Sequence, residues 1–199
     1  MRIWIRSLAI GVFIFPLVVL VVWYLLSFVV NISELNKFAK KGGEVVDISN
    51  PILYELVVAA ESKSTIRGFA MKNAYYSIVY EKEKSRIIWW HLNNLLWYYA
   101  SYLHFSDKDV FAIWVECSLS PCGKGLNDAS EKYFGKKLNL LSVTELAQLV
   151  ASVRSPSKYA LGSAQGNERA SLLLKSIETH NNALNTQPPA AGSPKSGGH

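Results

Sequence analysis

Six cationic side chains lie in the stretch between residues 124 and 158 of this 199-residue chain. They are Lys124, Lys132, Lys136, Lys137, Arg154 and Lys158. A basic surface formed by these residues would suit a pyrophosphate group, because lysine and arginine donate charge-assisted hydrogen bonds to phosphate oxygens. The same residues would also form an ordinary solvated face that favours anionic lipid headgroups. Both interpretations stay open from the sequence.

Two cysteines, Cys117 and Cys122, occur in the segment CSLSPC. In an oxidising compartment they could form a disulfide, and in a reducing one they would remain thiols; both states stay open. Without neighbouring histidines this pair is not typical of a zinc site, and His91 and His104 have no thiol or carboxylate at ligand spacing. We therefore expect no metal and no cofactor, and no nucleic-acid-binding motif is recognisable.

The N-terminus contains the uncharged run LAIGVFIFPLVVLVVWYLLSFVV, residues 8–30. This run exceeds the roughly 20 apolar residues that cross a hydrocarbon core of about 30 Å, and no small-residue cleavage site follows it. We predict a retained transmembrane helix. Arg2 and Arg6 precede it, so the positive-inside rule predicts a cytoplasmic N-terminus and, in a bacterium, a periplasmic domain.

The rest of the chain is predicted to be mainly α-helical. Residues 31–48 are predicted to form a polar stalk and residues 49–184 a single domain. Residues 185–199 are predicted to be a disordered tail rich in Pro, Gly and Ser. Helices are expected from Pro51 to about Glu61, after Ser106, before Gly135 and after Ser142, each at a recognisable cap. Residues 62–85 give only a weak pattern, which predicts a loop and a short helix.

The aromatic segment RIIWWHLNNLLWYYASYLHF, residues 86–105, is one helical length without a formal charge after Arg86. It could be a core helix, an interfacial helix or a second membrane span. A second span would place His91, Asn93, Asn94 and other polar side chains in hydrocarbon, which is unfavourable. The pattern therefore favours a buried core helix.

Three short motifs follow one another between residues 133 and 159. The residues are Tyr133, Phe134 and Gly135 in the first motif, Ser142 and Glu145 in the second, and Pro156, Ser157 and Tyr159 in the third. In this order and spacing they resemble the C-terminal part of the peptidoglycan glycosyltransferase domain of glycosyltransferase family 51. The family includes monofunctional transglycosylases and class A penicillin-binding proteins. The resemblance implies a reduced, lysozyme-like α-helical domain.

The resemblance also implies where catalysis would take place. ELVVAAES resembles the approach to the family's first catalytic motif, with Glu61 in the place of the general base that acts on lipid II. Ser62 stands where the family has aspartate. Counting back without gaps from the DKDVF helix puts Asn94 in the place of the second essential glutamate. An amide cannot transfer a proton there, so the catalytic centre is predicted to be degraded.

These observations predict a single-pass protein of the bacterial inner membrane that resembles a transglycosylase but is a pseudoenzyme. It would bind lipid II, peptidoglycan glycan or a protein complex of envelope assembly. One alternative is an active, divergent glycosyltransferase with Glu61 as base and the basic residues on the pyrophosphate. The other is a membrane assembly factor that binds its partner through the aromatic helix.

Overall fold

The computed structural model describes residues 2–45, 51–83, 87–120 and 123–186, and this part of the chain is mainly α-helical, as predicted. The helices are α1 (Arg2–Ser27), α2 (Ile32–Val45), α3 (Pro51–Glu61), α4 (Lys63–Tyr75), α5 (Glu81–Glu83), α6 (Ile87–His104), α7 (Asp107–Cys117), α8 (Leu126–Phe134), α9 (Val143–Val153) and α10 (Ala164–Thr186). A π-helical turn, Tyr76–Tyr80, joins α4 to α5, and 3-10 turns occupy Val29–Asn31 and Leu138–Leu140. The strands β1 (Leu119–Ser120) and β2 (Gly123–Lys124) form a small antiparallel hairpin.

The N-terminal helix α1 covers the predicted transmembrane segment up to Ser27 and continues through Pro16, and residues 28–30 belong to the turn that follows. Among the described residues, one helical stretch, Ile14–Val45, is long and apolar enough to span a membrane. The mean hydropathy of its most apolar window is 2.4, and only 6% of that window is buried in the protein. The core helix of a soluble protein would be mostly buried, so this exposure agrees with a membrane anchor.

The segment that reads as a stalk, residues 31–48, is helical over most of its length, and α2 packs along α7. Leu35 is fully buried and Gly42 is buried against the backbone of Ala112. Lys41 also forms an ion pair with Glu116 of α7. This segment is therefore packed onto the domain, because its few apolar residues and its glycine face a neighbouring helix.

The sequence prediction of a loop and a short helix for residues 62–85 was wrong, since α4 is a regular helix of 13 residues. Its buried side, which includes Ile66, Ala70, Met71 and Ala74, faces α6 and α7. Small alanines make this apolar side inconspicuous in the sequence, and packing against two helices stabilises it. The four-helix contact of α2, α4, α6 and α7 forms one half of the core.

The aromatic helix α6 is not the buried core helix that its pattern favoured. Only Trp97, Ala100 and Ser101 are buried among its described residues. Large apolar side chains on its outer side are well exposed, including Leu103 at 77% and Ile87 at 70%. The few inward residues are enough to hold α6 on the domain, so most of its apolar surface faces outward.

Polar contacts join α6 to the membrane helix α1. Asn93 Oδ1 accepts hydrogen bonds from Trp23 Nε1 at 2.9 Å and from Ser27 Oγ at 2.6 Å. Ser27 Oγ in turn accepts one from Trp97 Nε1 at 3.1 Å. His104, at the end of α6, hydrogen-bonds to the Tyr24 hydroxyl. Asn93 and His104, two of the polar residues of α6, thus pair with α1 and hold this helix on the domain.

The second half of the core is formed by α3, α9 and α10, with α8 alongside α7 and α9. Local signals define its elements as predicted. A capping box of Ser142 and Glu145 starts α9, and Ser106 with Asp109 starts α7 in the same way. Gly135 ends α8 at a φ of 65°, a conformation that glycine adopts without strain.

Candidate functional site

The glutamate singled out by the sequence, Glu61, is the last residue of α3 and is only 6% exposed. The next residue, Ser62, has φ 61° and ψ 147°, and it separates α3 from α4. This backbone region is almost restricted to glycine, and Ser62 is the one non-glycine residue with positive φ among the described residues. A strained turn therefore directs α4 away from α3 and leaves the glutamate at the corner between them.

Two arginines lie on the other side of Glu61. Arg154 is the C-cap residue of α9, and Arg169 lies in the second turn of α10. Burial raises the pKa of the Glu61 carboxyl, and the positive charges of Arg154 and Arg169 oppose that rise without cancelling it. The site is thus a buried carboxyl group facing two guanidinium groups, with no carboxylate among the charges that act on it in the described part of the chain.

Arg169 is held beside the glutamate by its own contacts. Its Nη2 donates to the carbonyl oxygen of Ala60 at 3.5 Å, and its guanidinium carbon lies 4.7 Å from the ring centroid of Tyr159. Its Nε is buried and has no hydrogen-bond partner among the described residues. One N–H of Arg169 is therefore left unsatisfied beside the glutamate.

The motif Pro156, Ser157 and Tyr159 forms the turn between α9 and α10, and it places the Tyr159 ring under Arg169. Lys158 Nζ lies 5.1 Å from the centroid of the same ring. The pKa of the Tyr159 hydroxyl is lowered, first by a hydrogen bond from Lys158 and then by one from Arg169. These contacts give the motif a physical role, since its tyrosine ring lies beside the guanidinium group of Arg169 and the ammonium group of Lys158.

The other basic residues of the predicted surface are dispersed. Lys136 Nζ forms an ion pair with Glu145 Oε1 at 2.8 Å in the first turn of α9. Arg154 is nine residues further along that helix, which at 1.5 Å per residue is about 14 Å away. Lys132 and Lys137 are exposed on and after α8, and the side chain of Lys124 lies outside the described part. Of the six predicted cations, Arg154 is the one that acts on Glu61.

The position of Asn94 differs from the one that counting assigned to it. Helices α4 and α6 run antiparallel, as shown by Arg67 Nη1 donating to Ser101 Oγ and by the Tyr75–Trp97 ring contact. This pairing places Asn94 opposite the π-helical turn. The turn begins about 15 residues after Ser62, so it lies roughly 20 Å from the corner, measured along α4. Asn94 Oδ1 is buried there, with no hydrogen-bond partner in the ranges that the structure describes. It lies too far along α6 to stand beside Glu61.

The remaining predicted residues have structural positions. Tyr133 and Phe134 pack edge to face at 4.9 Å between ring centroids. A Cβ on Gly162 would lie 2.5 Å from the Tyr133 hydroxyl, so this tyrosine rests on the turn that leads to α10. Cys117 is buried at the end of α7, whereas Cys122 lies outside the described residues. Whether the two cysteines form a disulfide stays a prediction.

Sequence reasoning did not assign Arg169 or Arg67 to a site. The contact of Arg169 with Ala60 joins residues 109 positions apart. Arg67 is buried in a segment predicted to be a loop. Arg67 is a charged residue on a side of α4 whose other residues are small or apolar, and this pattern is the signal that would have indicated it.

A helical domain with a candidate membrane span and a buried glutamate at a helix corner can now be compared with known protein families. The sequence profile of the transglycosylase family matches residues 38–178, well over half of the chain. The protein therefore belongs to the transglycosylase family. No curated protein and no solved structure matches it. The matched region begins within α2, in agreement with the packing of that helix on the domain.

Replacing Ser62 with glycine is expected to raise the free energy of unfolding by about 1 kcal/mol. The present conformation of Ser62 costs of the order of 1–3 kcal/mol, and glycine adopts it without that strain. Ser171→Gly, at an exposed position within α10, is the matched control and should lower stability by about 0.5 kcal/mol. Chemical denaturation of both variants in detergent measures the difference. A loss of stability in Ser62→Gly would show that its hydroxyl contacts outweigh the strain.

The raised pKa of Glu61 predicts a pH dependence of stability. Because the folded-state pKa lies above the unfolded-state value of about 4.5, the stabilising neutral carboxyl is present below that value and is lost as pH rises through the folded-state pKa. Glu61→Gln should therefore be more stable than the unsubstituted protein at neutral pH and lose this advantage below pH of about 4.5. Denaturation between pH 4 and 8 measures the difference, with the exposed Glu178→Gln as control. The opposite trend would mean that attraction to the arginines exceeds the effect of burial.

Proposed function

We propose that this protein is a membrane-anchored, peptidoglycan glycosyltransferase-like protein that binds lipid II or nascent glycan and does not polymerise it. One observation carries the proposal: in the described part of the chain the buried carboxyl group of Glu61 faces two arginines, and no second carboxylate acts on it. The arginines supply recognition of a pyrophosphate. The second carboxylate on which the family's reaction depends has no counterpart beside Glu61 among the described residues.

The chemistry of the site supports recognition more directly than turnover. Polymerisation requires a base that takes the proton of the acceptor hydroxyl and cations that stabilise the departing pyrophosphate. Arg154 and Arg169 fit the second task, because guanidinium groups form paired hydrogen bonds to phosphate oxygens and the Nε of Arg169 has no partner yet. Glu61, 6% exposed, has little surface open to an acceptor hydroxyl.

The test uses the full-length protein in detergent with labelled lipid II, and it measures binding and glycan product in the same samples. We expect binding without product. Arg154 is exposed, so Arg154→Gln should keep the fold and weaken binding about tenfold. Lys175→Gln on the outer surface of α10 is the matched control and should leave binding unchanged. Absence of binding would contradict the proposal.

An active, divergent glycosyltransferase is the second candidate, and the raised pKa of Glu61 favours it. A carboxyl group whose pKa is raised toward neutrality is a better base for a hydroxyl than an ordinary glutamate. In this case lipid II would yield glycan strands, and Glu61→Gln would reduce the rate about 10²- to 10⁴-fold. Product that is lost in that variant would replace the first proposal by this one.

The outer surface of α1 and α6 favours a third candidate, a membrane assembly factor. Exposed apolar residues of both helices line a groove of about 530 Å³, which includes Leu20, Tyr24, Leu95 and Leu103. Such a surface is expected to contact lipid or a membrane partner. Co-purification with an envelope complex that survives Glu61→Gln and is lost in Leu95→Ser would support this function.

For all three candidates we propose the same location. The anchor would lie in the bacterial inner membrane as a single span, with Arg2 and Arg6 on the cytoplasmic side and the helical domain in the periplasm. The aromatic outer surface of α6 would then lie at the periplasmic boundary of the bilayer, where tryptophan and tyrosine are favoured. Labelling of single introduced cysteines from either side of the membrane would test this topology.

A further inference from the structure

A cavity of about 320 Å³ lies between α3 and α10. Its walls include Tyr54 and Glu55 of α3 and Ile177 and His180 of α10. The volume is at the lower end of the range of about 300–1,000 Å³ that is usual for small-molecule sites. The cavity therefore has room for a small ligand, at a place that the proposed lipid II site does not use.

The cavity is separate from the corner at Glu61, although both lie along the same pair of helices. Helices α3 and α10 run antiparallel, since Arg169 contacts Ala60 at the end of α3, whereas His180 shares the cavity with residues near its start. Glu55 precedes Glu61 by six residues, which is about 9 Å along a helix. Neither Glu61 nor Arg169 lines the cavity.

Glu55 supplies the negative charge of the cavity. This residue is partly buried, and its carboxylate forms no ion pair or hydrogen bond with any residue in the described ranges. No lysine or arginine in these ranges lines the cavity with it. A charged carboxylate accepts hydrogen bonds and donates none, so the partner that Glu55 lacks is a donor. A cationic donor forms the strongest hydrogen bond of this kind.

Most of the remaining wall is apolar. Tyr54 packs edge to face on Phe111, with 5.1 Å between their ring centroids, and this contact holds the Tyr54 ring in place. Val58, Ala59 and Ile177 contribute aliphatic surface. An aromatic ring and a carboxylate both attract a cation, because the ring face carries partial negative charge. The wall thus suits an ammonium group that is attached to an apolar body.

Two further polar side chains line the cavity from α10. They are the hydroxyl group of Ser176 and the imidazole of His180. An ammonium group has three N–H donors, and a hydroxyl oxygen or a ring nitrogen of an uncharged histidine can accept one of them. The cavity therefore offers Glu55 for the charge of such a group and further acceptors for its other N–H groups.

We propose that this cavity binds a small organic cation, with its ammonium group at the Glu55 carboxylate and its apolar body against Tyr54 and Ile177. The sign of the ligand's charge rests on the unpaired carboxylate, which is a local negative site in a chain of net charge +6. The apolar body rests on the composition of the walls. No residue of the Glu61 corner takes part, so the proposal does not depend on lipid II.

The experiment compares benzylammonium with benzyl alcohol, two probes of nearly the same size of which only the first is charged. Titration of the full-length protein in detergent, followed by ligand-observed NMR, should show benzylammonium binding with a Kd of about 1 mM. Benzyl alcohol should bind at least about tenfold more weakly. Empty detergent micelles correct for partition of either probe. Equal binding of both probes, or of neither, would overturn the proposal.

Three variants test whether the cation binds in the cavity itself. Glu55→Gln keeps the shape of the side chain but removes its charge, so it should weaken benzylammonium binding about tenfold. Glu178→Gln, at an exposed position of α10 outside the cavity, is the matched control and should have no effect. Ala59→Leu should weaken binding of both probes, because the longer side chain fills the cavity.

Equal loss of binding in Glu55→Gln and Glu178→Gln would indicate a general effect of net charge and would overturn the proposal. If Ala59→Leu did not fold, the comparison of the two glutamine variants would still decide the outcome.

Glu61→Gln separates this proposal from the proposed function. The variant should bind benzylammonium as well as the unsubstituted protein does, whatever its effect on lipid II. Benzylammonium binding that disappears in Glu61→Gln would place the cation at the Glu61 corner and overturn the separate cavity. Failure of lipid II binding with retained, Glu55-dependent cation binding would contradict the proposed function alone.

Discussion

Replacing Gly42 with alanine is expected to lower the free energy of unfolding by about 3 kcal/mol or more. A Cβ at this position would lie 2.0 Å from the carbonyl oxygen of Ala112, which belongs to the backbone of α7 and cannot rotate away. Helix α2 would have to move off α7, which would disturb the burial of Leu35 and the ion pair of Lys41 with Glu116. Overpacking of this kind typically costs 1–3 kcal/mol or somewhat more.

The adjacent glycine provides the control. A Cβ on Gly43 would meet no atom within 4 Å, so Gly43→Ala should stabilise α2 by up to about 1 kcal/mol through helix propensity alone. Urea denaturation of both variants in the same detergent, followed by far-UV circular dichroism, measures the contrast. Equal effects of the two substitutions would show that α2 does not pack on α7 as described.

Trp97→Ala is expected to lower the free energy of unfolding by about 3–5 kcal/mol, the usual range for removing a buried aromatic side chain. Trp97 is fully buried between Phe28, at 5.6 Å, and Tyr75, at 5.2 Å between ring centroids. Its Nε1 also donates to Ser27 Oγ of α1. The side chain thus joins the anchor, α4 and α6, and its loss should loosen the anchor as well as the core.

Two variants separate these effects. Trp97→Phe keeps an aromatic ring but loses the hydrogen bond to Ser27, and it should lose less than about 2 kcal/mol. Leu103→Ala removes an apolar side chain that is 77% exposed and should change stability by less than about 0.5 kcal/mol in detergent. Thermal denaturation of the three variants would contradict the described packing if Trp97→Ala and Leu103→Ala behaved alike.

Local signals account for the parts of the fold that the sequence predicted correctly. Ser106 with Asp109 and Ser142 with Glu145 are capping boxes, and Gly135 ends a helix, so each boundary is determined by residues three or four apart. Helix α4 has no such signal, because Ser62 precedes it in a strained conformation and makes no capping hydrogen bond. Its stability comes from packing against α6 and α7, which a single segment does not reveal.

In the candidate site, too, the sequence predicted what local motifs determine and missed what packing between distant segments determines. Glu61 and the Pro156–Tyr159 turn were found through their resemblance to family motifs, and their neighbourhood follows from the packing of α3 against α9 and α10. The role of Arg169 depends on a contact with Ala60 across most of the chain, and no spacing in the sequence encodes that contact. Asn94 shows the limit of counting without gaps, since the antiparallel pairing of α4 with α6 puts it far from the corner.

The hydrogen bonds of Asn93 with Trp23 and Ser27 affect how this protein would meet a ligand. A domain on a flexible tether sweeps a volume above the bilayer. In the proposed topology this domain would instead be held to its own anchor along α6, which would restrict its height and tilt. Any ligand embedded in the same bilayer would then arrive by lateral diffusion, at a fixed depth and with its headgroup already level with the domain. The search for such a ligand would then be two-dimensional, which would favour membrane-bound molecules over soluble ones of the same chemistry.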